Sequence, residues 1–131
     1  MENNEELNMD CIFCNYEGTK VINHQYWFAI FDGYPVSEGH MLIIPQRHVN
    51  LIDDLYPEEK ESFFEILHDV QRVLNEIYKP DGFNIGVNIG KAAGQTVEHL
   101  HIHVIPRYTG DMNNPDGGVR GVIPEKQKYE K

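Results

Sequence analysis

No stretch of this 131-residue chain approaches the roughly 18 consecutive apolar residues that a membrane-spanning helix needs. Its first ten residues, MENNEELNMD, have neither the basic patch nor the apolar segment of a secretory signal. No membrane partner is expected, and a cytoplasmic setting is. Basic residues are also scarce, with 11 Lys and Arg against 21 Asp and Glu for a formal charge of −10. Because nucleic-acid phosphates demand a basic face, this balance argues against a general nucleic-acid binder. Only two cysteines occur, too few for a disulfide framework. Internal repeats are missing, and so is the Gly-x-x-x-x-Gly-Lys-Ser/Thr pattern of a phosphate loop.

What is present fits one domain with a tail. An apolar content of 40% is enough for a buried core. The acidic excess is localised, since residues 1–10 carry four acids and no base, and residues 53–69 carry seven acids against Lys60. Residues 70–107 hold three acids against Arg72, Lys79, Lys91 and Arg107, so a small anionic ligand is compatible with that stretch. The expected division is a disordered acidic leader over 1–9, a folded domain over 10–108 and a C-terminal arm over 109–131.

The β-branched and aromatic run TKVINHQYWFAIFD predicts two short strands before the turn chemistry of Asp32-Gly33-Tyr34-Pro35. A strand from His40 to Pro45 follows. Pro57, Glu58 and Glu59 have the makings of a helix start. Phe63, Ile66, Leu67, Val70, Val73, Leu74 and Ile77 then recur at helical spacing, and Lys79-Pro80-Asp81-Gly82 ends the run. Phe83 to Ile89 and Val97 to Pro106 read as strands on either side of a glycine-containing loop. Strands, one helix and strands again predict an α+β domain with an antiparallel sheet and the helix on one face.

The last predicted strand carries the chemistry. His99, His101 and His103 alternate with Leu100, Ile102 and Val104, so period two sends imidazoles to one face and aliphatic groups to the other. At about 3.3 Å per residue the outer histidines start roughly 13 Å apart. A single ion with ligands at about 2.0–2.1 Å therefore cannot readily bind all three. Cys11-Ile12-Phe13-Cys14 supplies two thiolates on a tight turn. Zinc completed by two further cysteines or histidines, a redox pair and inert thiols are the alternatives; the turn-like residues after Cys14 favour zinc over a thioredoxin-like site. An imidazole can also attack phosphorus covalently when its other nitrogen is held by an acceptor, and the middle of a strand-borne triad suits that task. The loop Gly90-Lys91-Ala92-Ala93-Gly94-Gln95-Thr96 brings backbone N–H groups, an amide and a hydroxyl close by.

His99-Leu100-His101-Ile102-His103-Val104-Ile105 resembles the signature of the histidine triad (HIT) family, and Gly94-Gln95-Thr96-Val97-Glu98 resembles its fragile-histidine-triad-like, dinucleoside polyphosphate hydrolase branch. The likeness extends upstream through Cys11 to Cys14, Phe31-Asp32, Pro35 to His40, Leu42 to Pro45 and His48, covering roughly Asp10 to Tyr108. It implies a HIT-like fold, with a five-stranded antiparallel sheet and one long helix. It also implies a nucleotide hydrolase or transferase acting at a nucleoside α-phosphate, on a dinucleoside polyphosphate or a nucleoside phosphoramidate. By position, His101 is the implied nucleophile, His103 its phosphate and leaving-group partner, and His40 the upstream member of the cluster. Gln95 and Thr96 are implied at the phosphate, with Asn88 nearby. Asp32 is the implied ribose-hydroxyl acceptor, with Phe13, Phe31 and Leu42 around the base.

A bacterial-type, zinc-containing member of the family would bind a structural zinc ion through Cys11, Cys14, His48 and His99. A purine nucleoside, a homodimer, and magnesium accompanying a polyphosphate substrate are further implications. Thr96 points to the polyphosphate branch and Asn88 to the phosphoramidate branch, so the leaving group stays open. Arg120 in Gly117-Gly118-Val119-Arg120 is read as a surface residue, and His24 and His68 as ordinary. The alternative function is a nucleotide-binding, zinc-stabilised interaction protein with little turnover. A His-x-His metal oxygenase is the third reading.

Overall fold

A computed structural model describes residues 10–129, so the leader expected over 1–9 lies outside the described residues. Five strands form one sheet: β1 (Ile22–Asn23), β2 (Trp27–Phe31), β3 (Met41–Pro45), β4 (Gly82–Val87) and β5 (Ile102–Arg107). Their order is β1-β2-β3-β5-β4, with antiparallel neighbours throughout. The helix α1 (Pro57–Ile77) joins β3 to β4. The expected α+β class, five antiparallel strands and single long helix are all observed.

α1 covers one face of the sheet. Ile66, Val70 and Leu74 are buried against Trp27, Ala29, Met41, Ile43, Leu100, Ile102 and Val104, which is the aliphatic half of the triad alternation. Ile77, the last residue of the helical pattern, is 60% exposed because the helix ends there, beyond the sheet it packs on. The start of α1 is tied to the turn after β3. Glu59, buried one turn into the helix, accepts the Tyr56 N–H at 2.6 Å and pairs with Arg47 at 2.8 Å, while its carbonyl accepts the Trp27 Nε1–H. This pair, buried on the Glu59 side and half-buried at Arg47, ties down the segment that carries His48.

The opposite face is not wholly given to polar chemistry, as the simple alternation implied. Phe28, Ile30, Leu42 and Ile44 form a second apolar cluster with Phe13, beneath the N-terminal loop that holds Cys11 and Tyr16. β2 and β3 are therefore buried on both faces, and a small second core covers half of the open side.

The strand expected over Val97 to Pro106 is shorter, because β5 begins at Ile102. β4 starts at Gly82 and ends at Val87, not Ile89, while β3 starts at Met41, one residue after His40. The reason lies in the partners. β4 pairs no further than Val87 with Ile102, and the β3 ladder stops at Ile43 with Ile102, two residues before Pro45, which has no N–H to give. Upstream of Ile102 the chain is held by other contacts, including a Leu100 N–H donated to the Val49 carbonyl at 2.7 Å. Only His103 of the triad sits in a laddered strand.

Candidate functional site

The three alternating histidines go to three different environments. His99 is fully buried, and its Nδ1 lies 3.2 Å from Cys11 Sγ, 3.5 Å from Cys14 Sγ and 3.2 Å from His48 Nδ1. Cys14 Sγ is 3.3 Å from His48 Nδ1, and the four ligand atoms all fall within 4.8 Å of one another. A tetrahedral ion bonded at about 2.3 Å to sulfur and 2.0–2.1 Å to nitrogen places its ligands about 3.3–3.8 Å apart. The observed separations match that edge length with a slight contraction. The tautomer agrees as well: His99 Nε2–H donates to the Pro45 carbonyl at 2.9 Å, which leaves the Nδ1 lone pair facing the thiols. Burial holds the free His99 imidazole down at about 4, so its nitrogen is available as a ligand at neutral pH. Two thiols and two imidazoles form the donor set of a structural zinc site, and the group fits.

His101 is also buried, and its Nδ1 lies 2.8 Å from the His99 carbonyl. A carbonyl only accepts, so Nδ1 carries the proton and Nε2 keeps its lone pair. Phe13, carried between the two cysteines, packs edge-on against both His99 and His101, with ring centroids 5.7 and 5.2 Å away. The turn that carries Cys11 and Cys14 thus also forms a wall beside His101.

The third environment is a relay. Gly39 holds a φ of +90°, and a side chain there would collide with the Tyr78 ring, so this turn into β3 requires glycine. The turn delivers His40, which is 3% exposed, against the sheet. Val36 N–H donates to His40 Nδ1 at 3.1 Å, so the His40 proton sits on Nε2. That Nε2 is 3.0 Å from His103 Nδ1 and 3.4 Å from Asp32 Oδ2. His40 therefore donates to His103, and the remaining His103 proton sits on Nε2. Burial first, then the neighbouring His101 and His40, hold His103 down at about 4, while burial lowers His40 against the opposing pull of Asp32. His103 is a neutral hydrogen-bond donor at pH 7. Asp32, His40 and His103 are close enough to hold an ion. The His40 proton, however, occupies the atom that would have to supply the lone pair.

A cleft of about 550 Å³ opens onto His101 and His103. Phe13, Phe31, Asp32, Leu42, Asn88 and Thr96 line it, so most of the residues that the triad resemblance pointed to share one cavity. Gln95 does not line it: its Oε1 accepts the Gly90 N–H, and its Nε2 donates to Asn50 Oδ1 and the Val97 carbonyl. These bonds close the loop, and Gly94 and Thr96 on either side of Gln95 face the cleft. Asp32 has a second engagement, because its Oδ1 accepts the Tyr34 N–H at 2.8 Å. Sequence reasoning missed Ile12, Tyr16 and Tyr34 in the lining and the backbone groups of Val36 and Pro45. Only Tyr34 had a local signal, its place in the Asp-Gly-Tyr-Pro turn.

The HIT domain family matches residues 15–110 of the chain. The chain belongs to the HIT family. Among solved structures, a zinc-bound histidine triad family protein from Mycobacterium smegmatis superposes with a TM-score of 0.71 at 34% identity, covering 81% of each chain. An AP-4-A phosphorylase of Mycobacterium tuberculosis is 37% identical over 98 residues, which is 74% of this chain and 50% of that protein. A bis(5'-nucleosyl)-tetraphosphatase (asymmetrical) of Schizosaccharomyces pombe is 42% identical over 82 residues, 63% of this chain and 45% of that one. This HIT chain therefore spans about half the length of these two curated relatives. Among its described residues no helix is long and apolar enough to cross a membrane.

Proposed function

We propose that this HIT protein is a nucleotide hydrolase or transferase that cleaves at the α-phosphate of a dinucleoside polyphosphate or a nucleoside phosphoramidate. The observation that carries the reading is the protonation pattern of the triad. His101 holds a lone pair on Nε2 because Nδ1–H is committed to the His99 carbonyl, and the neighbouring His103 is a neutral donor. The His101 nitrogen attacks phosphorus, and the P–O or P–N bond to the leaving group breaks as the N–P bond forms. His103 hydrogen-bonds the phosphoryl oxygen or the leaving atom, with Asn88 and Thr96 beside it in the cleft. Water then opens the nucleotidyl-histidine, releases the nucleoside monophosphate and restores the lone pair. The relatives named as an AP-4-A phosphorylase and a tetraphosphatase support this choice of chemistry.

Phe13, Phe31 and Leu42 take the base, a purine, and Asp32 the ribose. Zinc held by Cys11, Cys14, His48 and His99 supplies a structural cross-link between the N-terminal turn and the triad. Among the described residues no Lys or Arg lines the cleft, so magnesium accompanies a polyphosphate substrate as its charge partner. A Cys-x-x-Cys pair set beside His48 and His99 as a metal-ligand group, rather than in a disulfide framework, favours a cytoplasmic protein. Phe64 and Ile77, exposed on the helix, favour a homodimer.

The test is incubation with diadenosine tetraphosphate and with adenosine 5'-phosphoramidate, followed by acid-free trapping and mass spectrometry. The expected result is turnover of at least one substrate and an adenylyl group on His101. An adduct on any other residue overturns the proposed nucleophile. Tight nucleotide binding with no turnover of either substrate points instead to a nucleotide-binding, zinc-stabilised interaction protein.

A further inference from the structure

The turn between β2 and β3, residues 32–40, carries two members of the relay, Asp32 and His40, together with the Val36 N–H that fixes the His40 tautomer. Packing leaves its outer part unsupported, since Tyr34, Pro35, Val36 and Glu38 are exposed. A cavity of about 560 Å³ lies alongside, lined by Val36, Ser37 and Glu38 of the turn and by Ile105, Arg107 and Tyr108 of the facing segment. Backbone bonds from the Asp32 N–H to the His40 carbonyl and from the His40 N–H to the Ser37 carbonyl close the turn on itself. Neither of them fixes where it stands relative to His103.

Two side-chain hydrogen bonds carry the turn to another part of the chain, and they run in opposite directions. The Ser37 hydroxyl donates to the Pro106 carbonyl at 2.7 Å, and the Tyr108 hydroxyl donates to the Glu38 carbonyl at 2.6 Å. Met41 with Val104 is the last pair between β3 and β5, so the Pro106 carbonyl lies beyond that ladder and is taken up by Ser37 instead. Tyr108 directly follows β5 and is itself held: its N–H donates to Asp111 Oδ2 at 3.0 Å, and the two Asp111 oxygens bind the Arg107 guanidinium at 2.8 and 2.7 Å. The two bonds form a clasp, and both ends of it rest on the segment that carries His103.

Each ring of the neutral relay holds one proton, so the pair has two arrangements. In the first, the Val36 N–H fills His40 Nδ1, His40 Nε2–H donates to His103 Nδ1, and the His103 proton stays on Nε2. In the second, His40 carries its proton on Nδ1, its Nε2 accepts from His103 Nδ1–H, and His103 Nε2 is left with a lone pair. That second arrangement sets two donors, Val36 N–H and His40 Nδ1–H, against each other, so it is excluded only while Val36 stays in place. The choice matters for chemistry, because an N–H at His103 Nε2 stabilises a phosphoryl oxygen and a lone pair there repels it.

We propose that Ser37 and Tyr108 are positioning residues for the triad: their hydrogen bonds with Pro106 and Glu38 hold the Val36 N–H on His40 Nδ1 and so keep His103 a donor at Nε2. Neither side chain lines the substrate cleft, so both act through His40. This rests on His103 serving as the donor in cleavage beside His101, and it adds the part of the fold that sets its proton.

The test uses full-length, zinc-loaded protein carrying Ser37→Ala, Tyr108→Phe, the two together, and Ser37→Thr, which keeps the hydroxyl. Nitrogen NMR at pH 7 reads which atom of the His103 ring carries the proton. The wild type is expected to show Nε2–H alone, the double variant a mixture of both forms, each single variant a smaller share of the second form, and Ser37→Thr the wild-type pattern. In turnover of diadenosine tetraphosphate or adenosine 5'-phosphoramidate, kcat is expected to fall about 3–10-fold in each of Ser37→Ala and Tyr108→Phe, the loss of one hydrogen bond. KM and the calorimetric affinity for adenosine monophosphate should stay within about twofold, since the donor acts in the transition state. A merely structural role would lower the thermal midpoint and leave the His103 signals of the folded variants unchanged, and that result overturns the proposal. So does a Ser37→Thr protein that loses as much rate as Ser37→Ala. A mixed His103 signal in variants of a protein that turns over neither substrate keeps the clasp and removes the proposed reaction instead.

Discussion

Two histidine clusters sit within a few residues of each other on the same chain segment and are built for opposite purposes. Around His99 the nitrogen lone pairs and the thiols converge on one point, with His99 and His48 Nδ1 atoms 3.2 Å apart. Around His103 an N–H meets a lone pair, with His40 Nε2 and His103 Nδ1 3.0 Å apart. The two separations are nearly equal, yet one describes a site for a cation and the other a hydrogen bond. The backbone decides between them. The Pro45 carbonyl takes the His99 Nε2 proton and turns a lone pair inward, whereas the Val36 N–H occupies the His40 lone pair and turns a proton inward. Residue type sets what an imidazole can do, and the main-chain group on its other nitrogen sets what it does.

The sharpest division falls at His101, which belongs to neither cluster. His101→Ala is expected to lower turnover by about 10,000-fold or more while nucleotide binding by calorimetry changes only severalfold. A parallel collapse of binding would show that the ring holds substrate and does not attack it. Next in size is the relay. His40→Gln removes the donor that fixes the His103 tautomer, and a loss of about 10–100-fold in kcat is expected for such an orienting partner. Nitrogen chemical shifts of His103 should show the proton redistributed between its two ring atoms. Unchanged shifts together with lost activity would assign His40 a different role.

The metal cluster should answer in stability before rate. Cys11→Ala is expected to release bound zinc and lower the thermal midpoint by roughly 10 °C, since each kcal/mol moves a domain of this size by about 3–5 °C. The rate of the remaining folded protein should fall less than that of either histidine variant, although Phe13 between the cysteines makes the nucleoside cleft sensitive too. A rate loss as large as that of His101→Ala, with the midpoint unchanged, would erase the contrast between the clusters.

The smallest effect is on pH. His103 and His40 are held below their ordinary value by burial, so the unfolded chain takes up protons that the folded one refuses. Their contribution to stability is complete above the unfolded value of 6.5 and is lost as pH falls from there towards the folded value, about 4 for His103. Thermal midpoints between pH 7 and pH 4.5 should therefore drop more steeply in the wild type than in His103→Asn. Equal slopes would mean that carboxylates alone govern the acid side.

Much of the architecture was legible in the chain. The helical spacing from Phe63 to Leu74 and the alternation of His99 to Val104 are local patterns, and they appear as α1 and as the aliphatic face beneath it. The strand ends were not legible, because a strand ends where its partner does, and the β4 and β3 ladders both stop at Ile102. Arg120 lies on the surface, as read, but its partners Lys126 and Gln127 were not legible for a similar reason, because they meet it only when the arm turns back on itself. Most of the candidate site shares one cleft, but the amide of Gln95 faces away from it, towards Asn50.

By itself the sequence determined the inventory and its periodicity, meaning which side chains can bind metal, attack or stack, and which face of an element each must take. Those follow from covalent geometry, since a strand alternates and a helix repeats whatever surrounds it. Tertiary structure alone decided that Cys11 lies against His99, 88 positions away, that Val36 rather than a carbonyl meets His40, and that the C-terminal arm stands beside His103. A proton's place on a ring and the walls of a cavity depend on groups brought together through space, and no local pattern of residues encodes that meeting.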